Sequence, residues 1–178
     1  MNKWEQIQNK IASQDEAKAI TSSWKNNSEI VVFTNGCFDI LHKGHVAYLA
    51  KAASLGDYLV VGVNADESVR RLKGESRPVN DQISRALVLA ALESVDLVII
   101  FDHDTPKELI EFLAPSVLVK GADYDANVID ENNPKYIVGS KAVKEAGGSV
   151  VTIELEEGFS TSNMISSINP CSKACCGV

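Results

Sequence analysis

Apolar runs and helical stripes alternate along this chain. Residues 30–34, 58–63, 96–101, 116–119 and 149–153 are short apolar segments rich in β-branched residues. That is the pattern of strands buried on both faces. Between them the apolar positions recur at helical spacing. Val46, Leu49, Ala50 and Ala53 mark a helix over 45–55, with Gly56 as its expected stop. A short basic helix over 67–72 follows, with Asp66 as its expected cap. Ile83, Leu87, Ala90 and Ala91 form the predicted inner face of a helix over 81–93. Further helices are predicted over 105–113, with Pro106 in the first turn, over 135–146, and from 160 to 168. Strand–helix alternation of this kind predicts an α/β fold: a Rossmann-like, doubly wound, five-stranded parallel sheet with helices on both faces. Residues 1–29 read as a helical N-terminal lead-in carrying Trp4, Ile7, Ile11, Ala17 and Ile20. Residues 30–168 read as the single domain, and 169–178 as a disordered tail bearing Cys171, Cys175 and Cys176 as reduced thiols.

In such sheets ligands gather beyond the carboxyl ends of the strands. The polar corners at 34–45, 64–66, 102–105, 120–124 and 156–163 all follow predicted strands, so they converge on one expected site. The first is the richest. Asn35-Gly36 breaks the strand, and His42 and His45 flank Gly44 where the next helix begins. The first amides of a helix are unpaired and its dipole is positive there, so a phosphate would meet free N–H donors and two imidazoles. A single histidine in this place reads first as a cap or a core residue. Two histidines around a glycine, directly after a strand and a turn, read as a ligand site.

Composition narrows the partners. A formal charge of −7 over 178 residues excludes a general nucleic-acid binder, which needs net positive surface. An acidic protein that handles phosphates must concentrate its cations locally, which singles out His42, His45, Arg70, Arg71, Lys73, Arg77 and Lys120. No apolar run approaches the ~20 residues of a membrane span, and residues 1–6 lack a signal-peptide core, so a cytoplasmic protein without a membrane partner is expected. The chain has no P-loop, no Gly-x-Gly-x-x-Gly fingerprint and no Gly-x-Ser-x-Gly elbow. The four cysteines suggest neither a disulfide framework nor paired zinc ligands.

His42-Lys43-Gly44-His45 matches the His-x-Gly-His signature of the nucleotidylyltransferase superfamily. The segments 34–42, 71–80, 118–124 and 158–161, in that order, resemble the D-glycero-β-D-manno-heptose 1-phosphate adenylyltransferases. The resemblance implies transfer of AMP from ATP, with Mg2+, to a sugar 1-phosphate. It implies that His42, His45 and Lys73 act on the reacting phosphates. Nucleotide binding would fall to Gly36, Cys37, Phe38, Lys120, Gly121, Asp123, Ser160 and Thr161, and the acceptor to Asp39, Asn64, Arg77 and Arg85. No side chains are assigned to a metal, since no dense carboxylate cage is visible. In bifunctional relatives a kinase domain precedes this one; here a stand-alone transferase is expected, with small-molecule substrates and, by the same resemblance, a homodimer. Residues 120–134 are longer than in those relatives and acidic; only 120–124 are expected to touch nucleotide, the rest forming a cover or a subunit contact. Two other readings stay open. A cytidylyltransferase acting on glycerol 3-phosphate shares both histidines, but that branch carries an arginine where Leu155-Glu156-Glu157 stands here. The other is a non-catalytic nucleotide-binding module.

Overall fold

The computed structural model describes residues 1–156 and 158–168. The elements run α1 (Lys3–Gln8), β1 (Ile11–Ala12), α2 (Gln14–Asn26), β2 (Val31–Gly36), α3 (Lys43–Ala53), β3 (Tyr58–Asn64) and α4 (Asp66–Lys73). They continue with α5 (Gln82–Ala90), β4 (Leu97–Phe101), α6 (Lys107–Leu113), β5 (Val117–Gly121), α7 (Ser140–Glu145), β6 (Ser149–Ile153) and α8 (Thr161–Ile168). The strands form one sheet in the order β1-β4-β3-β2-β5-β6, with every pair parallel.

The sheet therefore has six strands where five were predicted. The extra one is β1, which pairs Ile11 with Val98 and Ala12 with Ile99 along β4. The N-terminal segment is thus not a purely helical lead-in. Two residues between helices are too short to show a period of two, and Ser13 then starts α2 at once through a capping box with Glu16.

Alternate residues of the central strands feed two cores. Val32, Leu59, Val61, Val98 and Val119 pack under Leu49 and Ala52 of α3 and Ala86 and Leu89 of α5. Val31, Phe33, Val60, Ile99 and Leu118 meet Ala17 of α2, Leu109, Ile110 and Leu113 of α6, and Val143 of α7. Both faces are covered, as a parallel sheet requires. From β2 the chain winds outward through β3 and β4, then returns to lay β5 on the other side of β2. The switch point, where a crevice opens in such sheets, lies between the carboxyl ends of β2 and β5.

Several local expectations change. Helix α3 ends at Ser54, and Gly56 serves packing rather than capping: a Cβ there would stand 2.7 Å from Ile30 O and from Val32 Cγ2. Asp66 does not cap α4; Ala65 holds that position and Asp66 is the first helical residue. The buried face of α5 carries Arg85, Ala86, Leu89 and Ala90, leaving Ile83 exposed. Helix α7 starts five residues late, because Gly139 turns left-handed (φ +85°) against Ile110. The tail 169–178, with its three cysteines, lies outside the described residues.

Candidate active site

A cavity of about 690 Å³ opens at the switch point. Its wall includes Asn35, Gly36, Cys37, Phe38 and Asp39 after β2, His42, Gly44, His45 and Tyr48 of the α3 start, and Asn64 at the end of β3. Lys73, Asp104, Thr105, Lys120, Gly121, Asp123 and Tyr124 continue it, and Phe159, Ser160 and Thr161 close the far side. Five polar corners that are distant in sequence thus meet at one place.

His42 occupies the N-cap of α3, yet its side chain makes no capping hydrogen bond. Its ring stacks on that of His45, 3.8 Å between centroids and 21° between planes, while Phe38 meets His45 edge-on at 5.3 Å. The Nδ1 atoms of both histidines are buried without a hydrogen-bond partner among the described residues. Burial pulls His42 below its ordinary pKa. Burial, then His42 and then Lys73 push His45 down to about 4. Two imidazolium rings would repel at this spacing; two neutral ones stack. Gly44 makes room for the pair, since a Cβ there would stand 3.1 Å from His42 Nδ1 and 3.1 Å from Phe159 Cβ.

Lys120 sits at the end of β5 and donates from Nζ to Asn35 Oδ1 at 2.6 Å, which bridges the switch point. Burial lowers its pKa to about 8, against the opposing pull of Asp123 and Cys37. A Cβ at Gly121 beside Lys120 would fall 2.5 Å from Asp123 Oδ1, so a larger residue there would displace the Asp123 side chain. Lys43 and Lys51 of α3 pair with Glu156 at 3.3 and 3.2 Å, drawing the segment before α8 over the cavity. Of the acidic stretch, Asp123 and Tyr124 reach the wall, whereas Asp125, Asp130 and Glu131 do not; Glu131 borders a separate groove of about 390 Å³.

Three residues expected to hold the acceptor make hydrogen bonds within the protein. Asp39 is 2% exposed and committed within the protein. Its carboxylate accepts from Arg77 Nε at 2.5 Å, Val79 N at 2.7 Å and Asn80 N at 3.1 Å. Burial alone would raise its pKa, but the Asn80 amide, Arg77 and the Val79 amide together lower it. Arg77 and Arg85 are not on the cavity wall. Arg85 is 2% exposed and donates to Cys37 O, Asn80 O, Asn64 O and Asp66 Oδ1. A cation in a motif looks alike in sequence whether it faces a ligand or ties loops together, and Arg77 also keeps its Nη2 buried without a hydrogen-bond partner among the described residues. Asn64 lines the wall while its side-chain amide donates to Ser68 Oγ at 3.0 Å.

Sequence reasoning overlooked Tyr48 and Phe159; Tyr124, the last residue of the 120–124 segment expected to touch nucleotide, lines the wall. Tyr48 follows His45 by three residues, one helical turn on the same face, so its spacing was a usable signal. It bonds Thr34 Oγ1 at 2.8 Å and backs the first turn of α3. Among the described residues, no group of three or more His, Cys, Asp or Glu side chains converges to hold a metal ion. No described helix is long and apolar enough to cross a membrane.

Comparison with known proteins places this geometry. The cytidylyltransferase-like family matches residues 33–167. The bifunctional protein HldE of Wolinella succinogenes is 52% identical over 161 residues, covering 90% of this chain and 31% of that protein. HldE of Campylobacter jejuni strain RM1221 is 56% identical over 144 residues, 81% of this chain and 29% of that one. The chain thus spans about a third of the length of these relatives. Among solved structures, the lipopolysaccharide core biosynthesis protein of Thermoplasma volcanium superposes with a TM-score of 0.55 at 30% identity, over 72% of this chain and 97% of that one. The pantoate-beta-alanine ligase of Francisella tularensis superposes with a TM-score of 0.61 over 87% of this chain and 72% of that one; at 16% identity it shares the fold alone.

Proposed function

The chain belongs to the cytidylyltransferase-like family, and from that premise we propose that it transfers AMP from ATP to D-glycero-β-D-manno-heptose 1-phosphate, giving ADP-heptose and pyrophosphate. The observation that carries this reading is the stacked, unpaired His42–His45 pair at a helix start that lines a cavity with Lys73 and Lys120. The likeness to the HldE proteins and the four sequence blocks resembling heptose 1-phosphate adenylyltransferases support the substrate assignment.

An acceptor phosphate oxygen attacks the α-phosphorus of ATP, and the bond from that phosphorus to the oxygen bridging to the β-phosphate breaks. The acceptor is already an anion at neutral pH, so no strong base is needed. The barrier lies in bringing anions together and stabilising charge on the α-phosphate, which positioning and electrostatics must supply. We assign His42 and His45 as neutral hydrogen-bond partners of the phosphates. Lys73 and Lys120 supply cations, the Gly36–Phe38 turn faces the α-phosphate, and Ser160 and Thr161 at the α8 start take the triphosphate. Gly121 lets the nucleotide approach the backbone, and Asp123 holds the ribose. Asn64 and Asp39 border the acceptor, and Arg77 and Arg85 support the site from behind. ATP would bring magnesium on its phosphates, where the ion would offset their charge, and no side chain of this chain is assigned to it. A homodimer, implied by the resemblance, belongs to the same proposal.

Pyrophosphate release tests the reading, with ATP or CTP offered against heptose 1-phosphate or glycerol 3-phosphate. The pair of ATP and heptose 1-phosphate is expected to turn over fastest. A preference for CTP with glycerol 3-phosphate would move the protein to the cytidylyltransferase branch, and no release with any pair would leave a binding module.

A further inference from the structure

Among the described residues of the cavity wall, Phe38 is the one non-glycine with a positive φ. Phe38 has φ +46°, in the left-handed region that a bulky residue rarely adopts. Such a conformation persists only where the surroundings over-determine it. Arg85 supplies that restraint. Its Nη1 donates to Cys37 O at 2.5 Å, its Nε to Asn80 O at 2.9 Å, and its Nη2 to Asn64 O and Asp66 Oδ1, each at 2.8 Å. One guanidinium therefore joins the turn after β2, the end of β3, the start of α4 and the loop before α5. Only a fixed fork of donors can satisfy four acceptors in this way. Asp39 ties the other flank of Phe38 to the same loop, accepting from Val79 N and Asn80 N while its own carbonyl accepts from Asn80 Nδ2 at 2.6 Å.

The direction of the grip has a chemical consequence. A trans peptide holds its C=O and the following N–H on opposite sides. Arg85 is buried and off the cavity wall, whereas Cys37 and Phe38 are on it. Pulling Cys37 O inward therefore turns Phe38 N–H away from Arg85, and that N–H donates to nothing among the described residues. We infer that Arg85 is a positioning residue: by gripping Cys37 O it presents Phe38 N–H to a non-bridging oxygen of the nucleotide's α-phosphate. This rests on the adenylyltransferase reading above.

The test uses Arg85→Gln and Arg85→Lys in the full chain. Rates are measured with ATP and with both diastereomers of ATP carrying sulfur on the α-phosphorus, the divalent cation held constant. Sulfur accepts a hydrogen bond poorly, so wild type should discriminate between the diastereomers. In either variant that ratio should fall about tenfold or more. The turnover number should drop on the order of 10²-fold, the size of effect seen when one preorganised donor is lost, with KM for ATP moving less than about threefold. A role confined to stability would lower the active fraction and leave the diastereomer ratio intact, and that result overturns the inference. A rise in KM for the sugar phosphate with the ratio preserved also overturns it, because Arg85 would then touch the acceptor. Arg85→Lys, which keeps the charge but loses the fork, decides the matter should Arg85→Gln not fold. The Phe38 amide resonance gives a reading free of turnover. It should shift on adding ADP to wild type and stay still in Arg85→Lys. A shift in wild type without pyrophosphate release would sink the reaction and leave the positioning role standing; no shift in wild type would sink the positioning role.

Discussion

His45 is a histidine that the fold keeps neutral. Burial first, then His42 and Lys73, lower its pKa from 6.5 to about 4. Between those values the unfolded chain binds a proton that the folded protein refuses, so this contribution to stability is complete above about pH 6.5 and drains away as pH falls towards 4. His42 is shifted in the same direction and adds to the effect. Asp39, whose pKa is lowered from 3.8, loses its contribution only at more acid pH. The melting midpoint of wild type should therefore fall through this window, and His45→Asn should fall less. Equal slopes in a melting series from pH 7 to 4 would show that His45 is not held neutral. At this scale the histidine pair was legible in sequence, because two imidazoles around Gly44 at a strand–turn–helix junction have few other uses. Arg85 was not. Its sequence neighbours show a helical arginine, while its four acceptors come from segments 5 to 48 residues away.

Among the elements, the central strands were legible because both their faces are buried and their apolar runs are continuous. The edges of the fold were not. Strand β1 is two residues long, and its pairing to β4 is set by partners far along the chain: Val98 N donates to Lys10 O at 2.7 Å, and Lys10 Nζ donates to Val95 O at 2.6 Å. The buried face of α5 lies about a third of a turn from the predicted one, with Ala90 common to both. Counting Ile83 and Leu87 as the core stripe ignored that an arginine with four acceptors can occupy the inner face. Ile11 packs on the core beside α5 while covering the free edge of β4. Ile11→Ala should cost about 1–2 kcal/mol, since the side chain is only partly buried, which corresponds to roughly 3–6 °C in the melting midpoint. Thermal unfolding checks this, and activity measured well below the midpoint should not change. A loss of activity without a loss of stability would mean that β1 acts on the site rather than on the sheet.

The molecule as a whole works by convergence. Its strand order reverses between β2 and β5, and that one topological fact brings the His42–His45 turn, Lys120 and the start of α8 to a shared cavity. Alternating strands and helices made the convergence readable from sequence; the depth of the cavity, the stacking of the histidines and the Lys120–Asn35 bridge depend on tertiary contacts that no local pattern carries. The proposed adenylyl transfer in that cavity is direct, with no covalent enzyme intermediate. A single-turnover experiment tests it most directly: enzyme in excess over ATP labelled in the α-phosphate, mixed with D-glycero-β-D-manno-heptose 1-phosphate and quenched in time. The label should pass from ATP straight to ADP-heptose, and the rate should fall on the order of 10²-fold or more in folded His42→Ala and His45→Ala variants. Label retained on the protein, no labelled ADP-heptose, or histidine variants as fast as wild type would rule out direct transfer assisted by this pair.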